Sequence, residues 1–349
     1  MLKPIRMLET GAGALVIAAM LAAGASGGVA RASIPKAKVT QIAIAAPEKA
    51  SDYGWNQQGV RAARSVARQF HAKLVVNDGI GYNNTEAVLR RLATSGASFI
   101  IAQASGYSTI APRIARQYHV PIICYDTPSN LIKGSMADIE TASQQGSYLA
   151  GVLAAKYTKT GTLGIVISAG DVNWFKQSGG FIAGARSVKR HVKFLFSQIG
   201  PAAYDDAPGG KRVAQAVIAG GADVVFGMGD GASFGYLNAA ENAHAGHKVW
   251  FIDVIGNKTP IDKHHVLLSS VMWNFVPVFR QAVRDINNGT YGTHDYYLTD
   301  KSGISLLHSR YITSRVWHLI ERDRSRIAHG RILIPQLTTE AQVRALIKR

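Results

Sequence analysis

Cysteine is nearly missing from this chain: Cys124 is the only one in 349 residues. A disulfide framework is therefore excluded. Cys124 lies in the apolar run Val120 to Tyr125, which reads as a buried strand where a lone thiol is inert packing. Long apolar runs are also missing. The longest, Gly11 to Ala23, is 13 residues, against the ~20 that cross a bilayer. Acidic residues are scarce, 22 against 39 Lys and Arg. Charged residues of both signs make up only 17% of the chain while hydrophobic ones reach 47%, which excludes disorder and permits a large core.

The first 32 residues have the features of a secretory leader. Lys3 and Arg6 form a basic start, the apolar run follows, and Ala30-Arg31-Ala32 offers a small-x-small cleavage site. The expectation is export to the periplasm with cleavage near Ala32. No cysteine follows the leader to take a lipid, so a freely soluble product is expected. The formal charge of +17 leaves about +15 once the three cations and one anion of the leader are removed. The positives are scattered, and Arg61, Arg64 and Arg68 fit the outer face of a helix, so they read as solvated surface rather than a nucleic-acid footprint.

Beyond the leader, short β-branched runs alternate with amphipathic stretches. Strands are predicted at Val39–Ala45, Lys73–Asn77, Phe99–Ala102 and Val120–Tyr125, with helices between them at Trp55–Phe70, Thr85–Ser95 and Thr109–Tyr118. Continuous apolar strands separated by helices imply a parallel sheet buried on both faces. After the Gly/Ser/Pro-containing passage Asp126 to Glu140 the pattern restarts with a small-residue helix at Ala142–Tyr157. Strands then follow at Leu163–Ser168, Val192–Phe196, Asp223–Gly227 and Lys248–Asp253. A further strand–helix unit, Val266–Met272 and Phe275–Asn288, is expected to return to the first half. The fold class is thus α/β, with two doubly wound parallel-sheet lobes and a cleft between them. The expected division is 33–140 plus 256–291 for one lobe and 141–255 plus 292–349 for the other. Hinges are expected around Met136–Glu140, Val254–Asn257 and Thr290–Thr293.

Open parallel sheets bind ligands beyond the carboxyl ends of their strands. The first such loop carries Asp52, Tyr53, Gly54, Trp55 and Asn56; Asp52 is either a ligand acceptor or a cap for the following helix. Other strand ends supply Ser105-Gly106-Tyr107, Asp126-Thr127, Asn173-Trp174-Phe175, Gly227 to Gly231 with Asp230, Asp253, and Trp273-Asn274-Phe275. Aromatic faces suit a flat heterocycle and carboxylates suit sugar hydroxyls or ring N–H groups. A nucleoside meets both requirements.

These residues resemble the BMP family, the PnrA-like, purine-nucleoside-binding group of ABC-transporter substrate-binding proteins. The resemblance covers roughly Val39 to Pro335. It rests on Asp52-Tyr53-Gly54-Trp55-Asn56, on Gly146 to Gly151, on Gly180 to Arg186, on Gly221 to Val225, and on Leu268 to Val271 leading into Trp273-Asn274. It implies a type I periplasmic-binding-protein fold with three crossings between lobes, no cofactor and no catalysis. Its partners would be a purine nucleoside or base and a membrane permease, with no nucleic acid, for a monomeric chain. Ligand contacts would fall on Asp52, Trp55, Asn56, Tyr107, Asp126, Trp174 or Phe175, and Asp230, with Asp253 and Trp273 as further candidates. Two departures stand out: Trp273 occupies a place where many members have lysine, and Asp253 falls earlier than the family's acidic residue.

Rival readings have weaker support. Gly227-x-Gly229-x-Gly231 with Asp253 has the outline of a dinucleotide fingerprint and would imply an NAD-dependent oxidoreductase, but its last glycine is out of register. His244, His247, His264, His265 and His294 form no convincing metal set, and no Gly-x-Ser-x-Gly elbow is present. Between the expected leader and Val39 no stretch is long enough for a helix-turn-helix, so a DNA-binding head is not expected. A ligand sensor partnering a membrane receptor would have the same sequence.

Overall fold

The computed structural model describes residues 34–127 and 130–349. The expected leader lies outside them. No helix among the described residues is long and apolar enough to cross a membrane.

The first lobe begins with β1 (Gln41–Ala46), α1 (Trp55–Gln69), β2 (Lys73–Asp78), α2 (Thr85–Thr94), β3 (Phe99–Ala102), α3 (Ala111–Tyr118), β4 (Ile122–Tyr125) and β5 (Met136–Thr141). The second runs through α4 (Ser143–Tyr157), β6 (Thr162–Ile167), α5 (Val172–Val188), β7 (Lys193–Gln198), α6 (Ala207–Ala219), β8 (Val224–Met228), α7 (Ala232–Glu241), β9 (Trp250–Ile255) and β10 (Leu267–Trp273). The chain closes with α8 (Val276–Asn288), β11 (Tyr296–Leu298), β12 (Ile304–Leu306), α9 (Ser314–Ala328) and α10 (Glu340–Ile347). The two sheets have strand orders β11-β5-β4-β3-β1-β2 and β12-β10-β9-β8-β6-β7. All pairings are parallel except that of β12 with β10. Every residue of β3, β4 and β8 is buried, as expected for strands with helices on both faces.

In each sheet the strand order reverses at one place, between β1 and β3 in the first and between β6 and β8 in the second. At such a point the loops leave in opposite directions and a crevice opens beyond the strand ends.

Two expectations need correcting. The strand at 267–273 pairs with β9 and belongs to the second sheet; only α8, which packs on α1, and β11, which pairs with β5, return to the first. The chain therefore crosses between lobes at Thr141–Ser143, Trp273–Val276 and Leu298–Ile304. Of the expected hinges, Met136–Glu140 stops just short of a crossing, while Val254–Asn257 and Thr290–Thr293 lie inside lobes. The second correction is β5, which falls in a passage read as a break. Its Asp138 is fully buried, accepting from Thr127 N (3.0 Å) and Thr127 Oγ1 (2.8 Å), so a polar residue does not interrupt the strand.

The second lobe is built on a close crossing of α4 and α5, where glycines let backbones touch. A Cβ on Gly184 would lie 1.9 Å from Tyr148 O, and one on Gly180 2.3 Å from Gln144 O. Neither neighbour is a movable side chain. Gly184→Ala is expected to cost about 1–3 kcal/mol, the usual range for overpacking, measured by urea unfolding; an unchanged midpoint would show that the helices can part freely.

Candidate functional site

The carboxyl ends of the two sheets face each other across a cleft of about 460 Å³, counting its open mouth. From the first lobe it is lined by Trp55, Tyr82, Ala104, Ser105 and Asp126, from the second by Asp171, Asn173, Trp174, Tyr204 and Asp230, and at a crossing by Trp273. Trp55, Ala104 and Ser105 follow β1 and β3; Asp171, Asn173, Trp174 and Asp230 follow β6 and β8. These strands flank the two switch points, so the topology itself gathers the set.

Trp55 is the first residue of α1. Its ring stands edge-on to Tyr125 (4.7 Å between centroids), Phe275 (5.3 Å) and Trp273 (5.8 Å), and its Nε1 donates to Gln103 O at 2.6 Å. Trp174 Nε1 donates to Ser168 Oγ at 3.1 Å. Both indoles thus have their polar edge satisfied by protein. Asp126, in the left-handed region at φ 56°, joins the lobes: Asn173 Nδ2 donates to its Oδ2 at 2.7 Å, and Thr141 Oγ1 donates to Asn173 Oδ1 at 2.5 Å. Burial pushes the Asp126 carboxyl up to about 7 although Lys176 and Asn173 pull the other way. Asp171 caps α5 by accepting from Asn173 N (2.8 Å) and also accepts from Tyr204 OH (3.0 Å). Asp230 is buried, with Oδ1 unpartnered; burial, then the charges of Asp52 and Glu48, hold it well above the usual carboxylate range.

Five of the ten residues singled out from the sequence lie outside the lining. Asp52 is a helix cap, each oxygen taking two donors: Gly54 N and Gln57 N on Oδ1, Asn56 N and Asn56 Nδ2 on Oδ2. Asn56 is fully buried and spends its other amide hydrogen on Glu48 Oε2 at 2.9 Å. Tyr107 is buried in the first lobe, its hydroxyl on Gly81 O at 2.7 Å; Tyr82, 5.6 Å from it, presents the cleft face instead. Phe175 packs in the core. Asp253 sits in β9 and forms a fully buried ion pair with Lys258 at 2.6 Å. Trp55, Asp126, Trp174, Asp230 and Trp273 do come together.

Tyr82, Tyr204 and Asp171 were not singled out. The two tyrosines follow the edge strands β2 and β7, whose end loops carry an aromatic in polar surroundings, and that was the available signal. In the glycine run 227–231, Gly227 has a packing explanation: a Cβ there would lie 2.5 Å from the Tyr236 ring and 2.8 Å from that of Phe251.

The lobes touch at a second place. A Cβ on Gly256 would lie 1.8 Å from Tyr53 O, and Lys258 Nζ donates to the same oxygen at 3.4 Å. The loop after β9 therefore seats directly against the loop that precedes α1.

This architecture is that of a two-lobed solute-binding protein, and solved structures share it. An ABC transporter solute-binding protein from Conexibacter woesei DSM 14684 superposes with a TM-score of 0.71 at 18% identity, over 85% of this chain and 99% of that one. One from Aeropyrum pernix K1 gives 0.74 at 16% identity, over 88% and 96%. Both have the type I periplasmic-binding-protein fold. Residues 39–338 match the family described as ABC transporter substrate-binding protein PnrA-like, and the chain belongs to that family. The ABC transporter nucleoside-binding protein BmpA of Lactococcus lactis subsp. cremoris is 29% identical over 223 residues. That alignment spans 59% of this chain and 60% of the length of that relative.

Two outcomes follow from the site geometry. Burial raises Glu48, Asp126 and Asp138 to about 7 and Asp253 to about 6, from ordinary values of 4.5 for Glu48 and 3.8 for the aspartates. Between those ordinary and raised values the folded chain holds protons that the unfolded chain has released, so their contribution to stability is lost as pH rises through that window. The melting temperature of the ligand-free protein is expected to be higher at pH 5.5 than at pH 7.5, and Asp126→Asn to flatten part of the slope; a rise toward pH 7.5 in scanning fluorimetry would contradict it. Gly256→Ala is expected to weaken solute binding about tenfold or more by holding the lobes apart, with the fold preserved by circular dichroism; unchanged affinity would show that closure does not need this contact.

Proposed function

We propose that this chain is the exported solute-binding component of an ABC importer, capturing a purine nucleoside or nucleobase between its lobes and catalysing nothing. The observation that carries the reading is the convergence of the indoles of Trp55, Trp174 and Trp273 with the carboxylates of Asp126, Asp171 and Asp230 in one cleft. Flat apolar faces take a heterocycle by stacking, and carboxylates accept from hydroxyl and N–H groups. The family description and the nucleoside-binding name of the lactococcal relative support the same class. Trapping by closure explains the specificity, because a ligand polar group buried without a partner costs ~1–3 kcal/mol. The loaded, closed form then docks as a monomer on a membrane permease in the periplasm, and release follows when the three crossings let the lobes open.

A thermal-shift panel of purines, pyrimidines, sugars, amino acids and short peptides tests this. A ligand at ~100 times its dissociation constant adds about 2.7 kcal/mol, and purine nucleosides or bases are expected to give that rise. Trp55→Ala is expected to abolish the shift while the ligand-free variant stays folded. A rise with a sugar or amino acid and none with any nucleoside or base would overturn the purine assignment.

A further inference from the structure

The positive charge is divided unevenly. Residues 143–273 and 304–349, which build the second lobe, hold 21 lysines and arginines against 11 aspartates and glutamates. Five basic residues fall within eight positions, Arg186, Lys189, Arg190, His191 and Lys193, with no acidic residue among them. This segment joins the end of α5 to the start of β7. It therefore lies at the amino-terminal edge of the second sheet, the pole opposite the cleft, and α10 packs beside both elements.

A groove of about 750 Å³, counting its open mouth, opens at that pole. Arg186, Arg190, His191, Lys193 and Arg349 line it around the buried Phe194, and no aspartate or glutamate is among its lining residues. Helix carboxyl ends attract cations, and Arg186 meets that need for α10: it donates to Leu346 O at 2.6 Å and to Ile347 O at 2.9 Å, with its guanidinium 5.2 Å from the Phe194 centroid. Burial alone lowers this guanidinium from its ordinary value, the sign of a cation partly out of water with no counter-charge. Arg190, His191 and Lys193 lie beyond the last turn of α5 and are exposed. Among the described residues, no carboxylate forms an ion pair with any of the groove's cations. The adjoining groove, between α4 and α9, does carry an acid, but Asp323 is already paired there with Arg322 (3.1 Å) and Arg326 (3.3 Å). Like charges gathered in one concavity repel each other, and an anion from outside relieves that cost.

We propose that this groove is a phosphate site, separate from the cleft, in which Arg190 and Lys193 supply charge that no carboxylate of the protein engages and Arg186, held by the α10 carbonyls, forms a fixed wall. A guanidinium fork matches phosphate oxygens two at a time, and an ammonium adds a mobile point charge. The same phosphate chemistry is offered by a lipid headgroup at a membrane surface and by a small soluble polyphosphate. The six residues of β7 separate the groove from the strand ends bordering the cleft, roughly 20 Å at ~3.3 Å per residue. The site therefore does not depend on which solute the cleft takes.

Two measurements on the full chain test it: isothermal titration with sodium tripolyphosphate, and co-sedimentation with phosphatidylglycerol vesicles against phosphatidylcholine vesicles. Cleft ligands play no part in either readout. Binding to tripolyphosphate alone assigns the site to soluble phosphate, sedimentation with phosphatidylglycerol alone assigns it to headgroups, and each supports the inference, as do both together. Arg190→Gln with Lys193→Gln is expected to weaken the observed binding about tenfold or more. Arg61→Gln with Arg64→Gln removes the same charge from exposed positions of α1 and is expected to change it less than about twofold. Binding unchanged in the groove variant, or weakened equally in both double variants, overturns the inference, since a diffuse positive field would act that way. Silence from tripolyphosphate and from phosphatidylglycerol vesicles also overturns it. Should the groove variant not fold, Arg190→Gln alone, expected to weaken binding about threefold or more, decides by the same comparison.

Discussion

A parallel sheet covered by helices on both faces has nowhere left to do chemistry except at the ends of its strands. This constraint organises the molecule. With β1, β3, β4, β6, β8 and β9 almost wholly buried, side chains pointing from the sheet faces are committed to packing, and the free positions are those just past each strand. Two such ends face each other, and the reversal of strand order between β1 and β3 and between β6 and β8 places the crevices in register. The cleft is thus the part of the fold that the core does not claim.

The protein carries a large positive excess, yet its cleft is acidic. Buried carboxylates are costly, and this chain offsets the cost differently at each position. Asp52 collects four donors from the start of α1. Asp253 takes a fully buried lysine. Asp126 is held across the lobe junction by Asn173, with its carboxyl raised to about 7. Asp230 and Asp253 each keep an Oδ1 that no protein group reaches, and of the two only Asp230 lines the cleft, so that oxygen is the one of the series open to a molecule from outside.

The alternation of strands and helices, the two halves and the strand-end loops were legible in the sequence because apolar runs and helical spacing are local properties. What was not legible depended on partners far along the chain. Asp138 makes β5 look like loop until Thr127 is seen to satisfy it. The strand at 267–273 could pair with either sheet on its own pattern, and only the neighbouring β9 settles it. Among site residues, Asp52 and Asn56 have the right chemistry in the right loop but spend it on each other and on the helix start. Tyr107 and Tyr82 show the same limit: two neighbouring tyrosines, one after β3 and one after β2, with the buried one chosen from the sequence and the other on the cleft.

The two lobes also contribute unlike surfaces. The first lobe brings Trp55 and Tyr82, aromatic rings whose polar edges lie elsewhere or at the rim, together with Asp126, whose Oδ2 is already engaged by the second lobe. Of the lining residues, Asp230 and Trp273 carry buried polar atoms without a partner, Oδ1 and Nε1, and both belong to strand ends of the second sheet. Aromatic packing tolerates displacement, whereas hydrogen bonds demand distance and angle. A lobe that moves relative to its partner can therefore supply the forgiving contacts, while the groups that must hold a fixed geometry share one rigid sheet. Gly256, against which Tyr53 rests without room for a Cβ, lets that division be completed by direct backbone contact when the lobes meet.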